Sequence, residues 1–166
     1  VPSGDVVYPA DATDIDTIAV GDNLTSAQIR AGVRKLLEND VEPYEFGGYY
    51  LFITPKQWTD LFSDSDVKNA LFYGRPDGLF NANLSEFHNC RLVVTNHVKI
   101  ANNTGAVPVH RAMLVAPRWA GISYKYRPRL VREQAKDFGR KLPVGIKSDH
   151  QLKLFRSGHT ILLPSA

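Results

Sequence analysis

The stretch GGYYLFITPKQWTDLFSD, residues 47–64, constrains the fold more than any other part of the sequence. Tyr49 to Ile53 are aromatic, aliphatic or β-branched, the composition of a buried strand. Thr54 then stands as a helix N-cap, Pro55 takes the first helical position and Gln57 is third after the cap. Trp58, Leu61 and Phe62 follow at i, i+3 and i+4, one apolar helix face. The chain passes from strand to helix within one residue, so the fold must hold a helix directly against the end of a sheet strand. Thr54, Pro55 and Trp58 are read as structural residues of that joint.

The flanking segments extend the same α+β pattern. Residues 25–39 form an amphipathic helix: Thr25 caps it, with Gln28 three residues on, and Leu24 and Ile29 form a hydrophobic staple. Ile29, Val33, Leu36 and Leu37 supply its buried stripe. A short strand is expected at 17–20 within a Pro-, Gly- and Asp-rich extended segment, 1–23. A second short helix is expected at 66–72 and strands at 91–95 and 113–116, with a loop over ANNTGAVP. Further strands are expected at ISYKYRPRLVRE, at 144–155 and at 159–163, the last two joined at Ser157-Gly158.

Composition limits the function classes. The chain has 166 residues, 43% hydrophobic and 22% charged, enough for one domain or two small lobes sharing a core. Cys90 is the single cysteine, so no internal disulfide forms. No apolar run approaches the roughly 20 residues of a membrane span. Charge is lopsided: residues 1–117 carry 9 Lys/Arg and 14 Asp/Glu, whereas 118–156 carry 11 and 3. Such asymmetry suits nucleic acid, an acidic partner, or another copy joined acidic part to basic part.

Signatures of chemistry are sparse. His88, His97, His110, His150 and His159 make no H-x-x-x-H pair, and no C-x-x-C exists, so no metal is implied. There is no G-x-S-x-G elbow and no glycine-rich phosphate loop, so no cofactor is implied. Cys90 reads as a small buried residue rather than a nucleophile. Asp60, Asp64 and Asp66 lack the calcium-loop pattern and read as a helix end followed by an N-cap.

The functional flavour lies in YKYRPR. Strict alternation places Lys125, Arg127 and Arg129 on one strand face and Tyr124, Tyr126 and Pro128 on the other. Pro128 favours an edge strand. Aromatics turned away from the cations argue against a base-stacking platform. With Arg132, Arg140 and Lys141, these cations are the candidates for a subunit interface or a DNA-facing surface.

The order of these features resembles the later half of tailed-phage major capsid proteins with the Hong Kong 97-type fold, which encapsulin shells share. A helix at 24–39 is followed by the strand-to-proline-helix joint, then by HNCRLVVTNHV and AMLVAPRWAGISY. GLFNANLSEFHNCRLVV and KDFGRKLPVGIKSDHQLKLF resemble motifs of a podophage-type branch, the second through Asp137, Phe138, Gly139, Ile146, Lys153 and Phe155. Asn89 departs from that pattern, standing where glycine is usual. The resemblance implies an α+β fold with a mixed sheet flanked by helices. It divides the chain into an extended segment 1–23, a central (axial) lobe 24–115 and basic strands 116–166 returning to the peripheral lobe. It further implies a non-enzymatic subunit of an icosahedral capsid, made in the host bacterial cytoplasm and residing in the virion. Its partners would be copies of itself in pentamers and hexamers, accessory or cement proteins and packaged DNA, with no membrane. The family's N-terminal arm, extended loop and spine helix have no room before residue 24, so a piece or processed form of a longer chain is expected. The alternatives are a nucleic-acid-binding module using 118–156 and an encapsulin-like compartment shell.

Overall fold

The computed structural model describes residues 6–9, 12–74, 86–132, 140, 142–154 and 156–166. Gly139 and Lys141, with Asp137, Phe138 and Phe155, lie outside the described residues. The chain divides into two units: Val1–Trp119 with Arg156–Ala166, and Ala120–Phe155.

The larger unit contains α1 (Ser26–Glu38), β1 (Tyr49–Ile53), α2 (Pro55–Ser63), α3 (Ser65–Gly74), β2 (Glu86–Phe87), β3 (Cys90–Val94), β4 (Ile100–Asn102), β5 (Pro108–Val115) and, after the second unit, β8 (Thr160–Ser165). The second unit contains β6 (Ala120–Arg132) and β7 (Val144–Leu154). In the larger sheet the order is β2-β3-β1-β5-β4, with β8 also on β5. β1 runs parallel to β3 and antiparallel to β5. The parallel pair requires a crossover, which α2 and α3 supply.

Register sets the two sheet faces. Leu51 pairs with Leu92 and Leu114, and Leu163 pairs with Ala112. This face packs with Ile29 and Leu36 of α1 and Leu61 of α2 in one buried cluster. Burying each such aliphatic side chain contributes about 1.5–3 kcal/mol. At Gly32 of α1 an added Cβ would stand 3.2 Å from Leu163 and 3.3 Å from Leu114. The glycine that weakens the helix by about 1 kcal/mol lets it approach the sheet. That close approach rotates the buried stripe. Gln28, Ile29, Gly32 and Leu36 are buried, while Leu37, expected in the stripe, is exposed.

The strand-to-helix joint forms as the sequence requires. Thr54 caps α2 in a full capping box with Gln57, and Pro55 opens the helix. Gln57 is wholly buried, and its amide nitrogen donates to the His110 carbonyl and the Ser165 hydroxyl. Its amide oxygen accepts from the Thr54 N–H. The joint is thus tied to β5 and β8, far away in sequence. Trp58, half-buried, meets Phe62 edge-on with ring centres 4.8 Å apart.

Other expectations shift. Residues 17–20 form no strand: Asp14 and Thr17 close a capping box around the 3-10 turn Ile15–Thr17. The loop after residue 100 includes β4, paired to the start of β5, so β5 begins at Pro108 rather than 113. β8 does not pair with β7 as its sequence neighbour. It pairs with β5 from His110 to Val115 and so joins the larger unit. Residues 116–119 fall in that unit too. Asp64 has the role expected of it, accepting from the Asp66 N–H at the head of α3. It also accepts from the Ser26 N–H of α1 at 2.7 Å. Burial opposes its charge, yet these N–H donors and Arg30 hold its carboxyl below the usual aspartate value.

Candidate functional site

The second unit is a two-stranded antiparallel ribbon, β6 against β7. A lone hairpin of this kind is at best marginally stable in water. Its residues from Ile122 to Arg132 are all exposed.

The pairing corrects the expected cation stripe. Tyr124 pairs with His150, yet Tyr126 pairs with Asp149 and Arg129 with Lys147. Two irregularities, at Tyr124/Tyr126 and Tyr126/Arg129, each insert one residue in β6. Each insertion reverses the alternation, so Lys125, Arg127 and Arg129 do not follow one period-two row. Pro128 lies in the second irregularity, where no ladder hydrogen bond is demanded of it.

The bulges sort the ribbon into two unlike faces. Paired residues share a face and neighbours alternate. One face therefore carries Ile122, Tyr124 and Leu130, opposite Leu152, His150 and Ile146. Arg132, paired with Val144, closes its end. The ring centres of Tyr124 and His150 lie 6.0 Å apart, as same-face neighbours should. The other face carries Ser123, Tyr126, Arg129 and Val131, opposite Gln151, Asp149, Lys147 and Gly145, with Lys153 beyond. The apolar face is open: Ile146 is 79% and Leu152 73% exposed. Soluble proteins rarely leave a large apolar patch uncovered.

Charge separates the units as well. Residues 120–155 carry nine Lys/Arg and three Asp/Glu, and the rest of the chain eleven and fourteen. The ion pairs among the described residues, Arg30–Asp66, Arg34–Glu38 and Lys56–Asp60, all lie in the larger unit. The ribbon cations Arg129, Arg132, Arg140, Lys147 and Lys153 form none of them. Lys125 instead stands with its ammonium 5.7 Å from the centre of the Tyr126 ring. Sequence reasoning found these cations but not the apolar face. Periodicity was legible in Ile122, Tyr124 and Leu130 and in Ile146; the two insertions cancel for Leu130 and instead move Tyr126 onto the face of Arg129.

Cys90 opens β3 in the buried cluster of the larger unit. The thiol is buried, donates to the His88 carbonyl and is pushed up to about 12 by burial, so it remains a thiol at neutral pH. Among the described residues no three His, Cys, Asp or Glu side chains cluster to hold a metal. Among them, too, no helix is long and apolar enough to cross a membrane.

The fold of this chain is similar to that of solved phage capsid chains. The chain superposes on the capsid of Ralstonia phage GP4 over 98% of its length with a TM-score of 0.70 at 20% identity. It matches the cyanophage Pam1 capsid asymmetric unit over 98% with a TM-score of 0.75 at 14% identity. The capsid of cyanophage P-SCSP1u matches over 97% with a TM-score of 0.63 at 17% identity. The chain spans about half the length of these capsid chains, 52%, 54% and 53% respectively. No protein-family model and no curated protein sequence matches it.

Proposed function

We propose that this chain is the later part of a structural, non-enzymatic subunit of an icosahedral phage capsid with the Hong Kong 97-type fold. The observation that carries the reading is a fold shared with capsid chains across nearly all its residues. In this reading the larger unit is the axial-type lobe and the ribbon is part of the peripheral-type lobe. Subunits gather in pentamers and hexamers around DNA, with accessory or cement proteins as further partners. The virion is the place of function and the host bacterial cytoplasm the place of synthesis.

Three features of the molecule support it. The apolar ribbon face, idle in the isolated chain, would be covered in the complete shell, whose matched chains are about twice as long. The rigid joint at Thr54 serves a wall that must keep its shape under load. The acidic larger unit and basic ribbon suit heterologous contacts that close into rings.

The test is the native mass and shape of the assembled material, by light scattering and negative-stain imaging. Closed, regular particles in the megadalton range support the reading. Material that stays at the 18.5 kDa monomer mass at every concentration contradicts it.

A second reading has one observation in its favour. Tyr126 shares a face with Arg129, Lys147 and Asp149, so one aromatic does join the cations. A nucleic-acid-binding ribbon would lose affinity steeply as salt rises. Binding that is flat with salt removes it.

A further inference from the structure

The face of the main sheet opposite α1 is not covered by those helices. Val93 and Met113 both pair with Phe52, and Leu162 pairs with Met113, so four apolar side chains form one row across β3, β1, β5 and β8. They floor a groove of about 730 Å³ whose charged lining among the described residues is Lys99 and Arg111, with His97 beside them and no carboxylate. The Arg111 Nε is buried and has no acceptor among the described residues. A buried donor left unpaired is destabilising, and an occupant with an acceptor would relieve it. The groove therefore asks for an apolar side chain beside a carboxylate.

The described surface of the larger unit offers such a pair in one place. Its exposed large apolar residues are Val20, Leu37, Tyr73, Val94 and Ile100. Neither Tyr73, Val94 nor Ile100 has an Asp or Glu within two positions. Leu37 has Glu38, but that carboxylate is paired with Arg34. Val20, 85% exposed, is followed by Asp22. The first 29 residues hold five Asp and no Lys or Arg, so the turn arrives with a negative field. It is also rigid: the Asp22 N–H donates to the Ala19 carbonyl at 3.2 Å, and Asp22 Oδ2 accepts from the Ala19 N–H at 2.8 Å. The Ala166 N–H donates to the Asp22 carbonyl. A turn fixed in advance loses little entropy on docking.

We propose that the cationic groove over Phe52 and Met113 is the socket for the Val20–Asp22 turn of a second copy of this chain. Val20 fills the apolar floor, and the Asp22 carboxylate faces Arg111 and Lys99. Donor and acceptor patches differ, so the contact is heterologous and propagates from copy to copy. The proposal rests on the shell-subunit reading and names one of its contacts.

Two forms of the chain test it, Val20→Cys and Lys99→Cys, one of them tagged. Both positions are exposed, and far-UV circular dichroism checks that each folds. Cys90 is buried and does not compete for a short bis-maleimide cross-linker. Mixing the two forms should give a cross-linked product at twice the 18.5 kDa chain mass containing one of each. Adding Asp22→Lys to the Val20→Cys form should cut its yield about tenfold. No product, products of like forms only, or a yield indifferent to Asp22→Lys overturns the proposal. Imaging the same mixture separates the two ideas. Regular particles without the mixed product overturn the socket and keep the shell. Mixed product without particles keeps the socket and counts against the shell.

Discussion

The larger unit and the ribbon obey opposite rules. In the larger unit Leu51, Ile53, Leu114, Ile161 and Leu163 are wholly buried, and the polar side chains of the joint find partners inside. In the ribbon Ile122, Leu130, Ile146 and Leu152 lie open to solvent, and the cations stand outside the ion pairs of the described residues. The first region is built to keep its own shape. On the shell-subunit reading the difference places stability and assembly in separate stretches of this chain, and matched substitutions should separate them.

The widest gap should come from one residue type in both regions. Leu51→Ala, in the core, should cost about 2–5 kcal/mol in chemical denaturation. Leu152→Ala, on the open face, should stay within about 0.5 kcal/mol in the isolated chain while sharply reducing particle yield. Equal costs at both sites would erase the comparison.

Gln57→Ala should cost about 1–3 kcal/mol, because it strands the His110 carbonyl and the Ser165 hydroxyl. Thr54→Ala should cost about 1–2 kcal/mol through the lost cap. The two share partners, so the double variant should cost less than the sum. Strict additivity would show that the joint is not one network.

A smaller effect concerns pH. Burial, helped by Lys56 and opposed by Asp60, lowers the His110 pKa from 6.5. The neutral ring sits 3.1 Å from the Thr54 hydroxyl. As the pH falls below 6.5 the unfolded chain takes up a proton there that the folded chain resists. Stability from this group is therefore complete above pH 6.5 and is lost as pH falls through the lowered folded pKa. His110→Asn should flatten that part of the stability profile, and an unchanged slope would remove His110 as its source.

The smallest effect on stability should come from Arg127→Glu with Arg129→Glu. Thermal unfolding of the isolated chain should barely move, since neither side chain is in an ion pair of the described residues. Particle formation should fail. Particles formed at normal yield would break the link between ribbon charge and assembly.

The sequence made the joint legible to the residue, because strand, cap, proline and helix face are all local signals. It also made α1 legible, apart from Leu37, which a distant cause exposes: the close approach at Gly32 depends on Leu114 and Leu163. The place of β8 was hidden for the same reason. Pairing with β5 rather than β7 is decided by which apolar rows fit, not by sequence neighbours. The cations of the candidate site were visible as composition, but their faces were not. Two inserted residues in β6 reset the alternation, and neither is marked by a glycine. The socket over Phe52 and Met113 was invisible, since its four floor residues come from four strands.

Hydrogen exchange of the ribbon amides, compared between the isolated chain and assembled particles, tests the account most directly. The main-sheet strands β1 and β5 should be protected in both. The account predicts that β6 and β7 exchange rapidly in the isolated chain and become protected to the level of the main sheet in particles. Ribbon amides that exchange as fast in particles as in the isolated chain would contradict it, because the open face would then be no assembly surface.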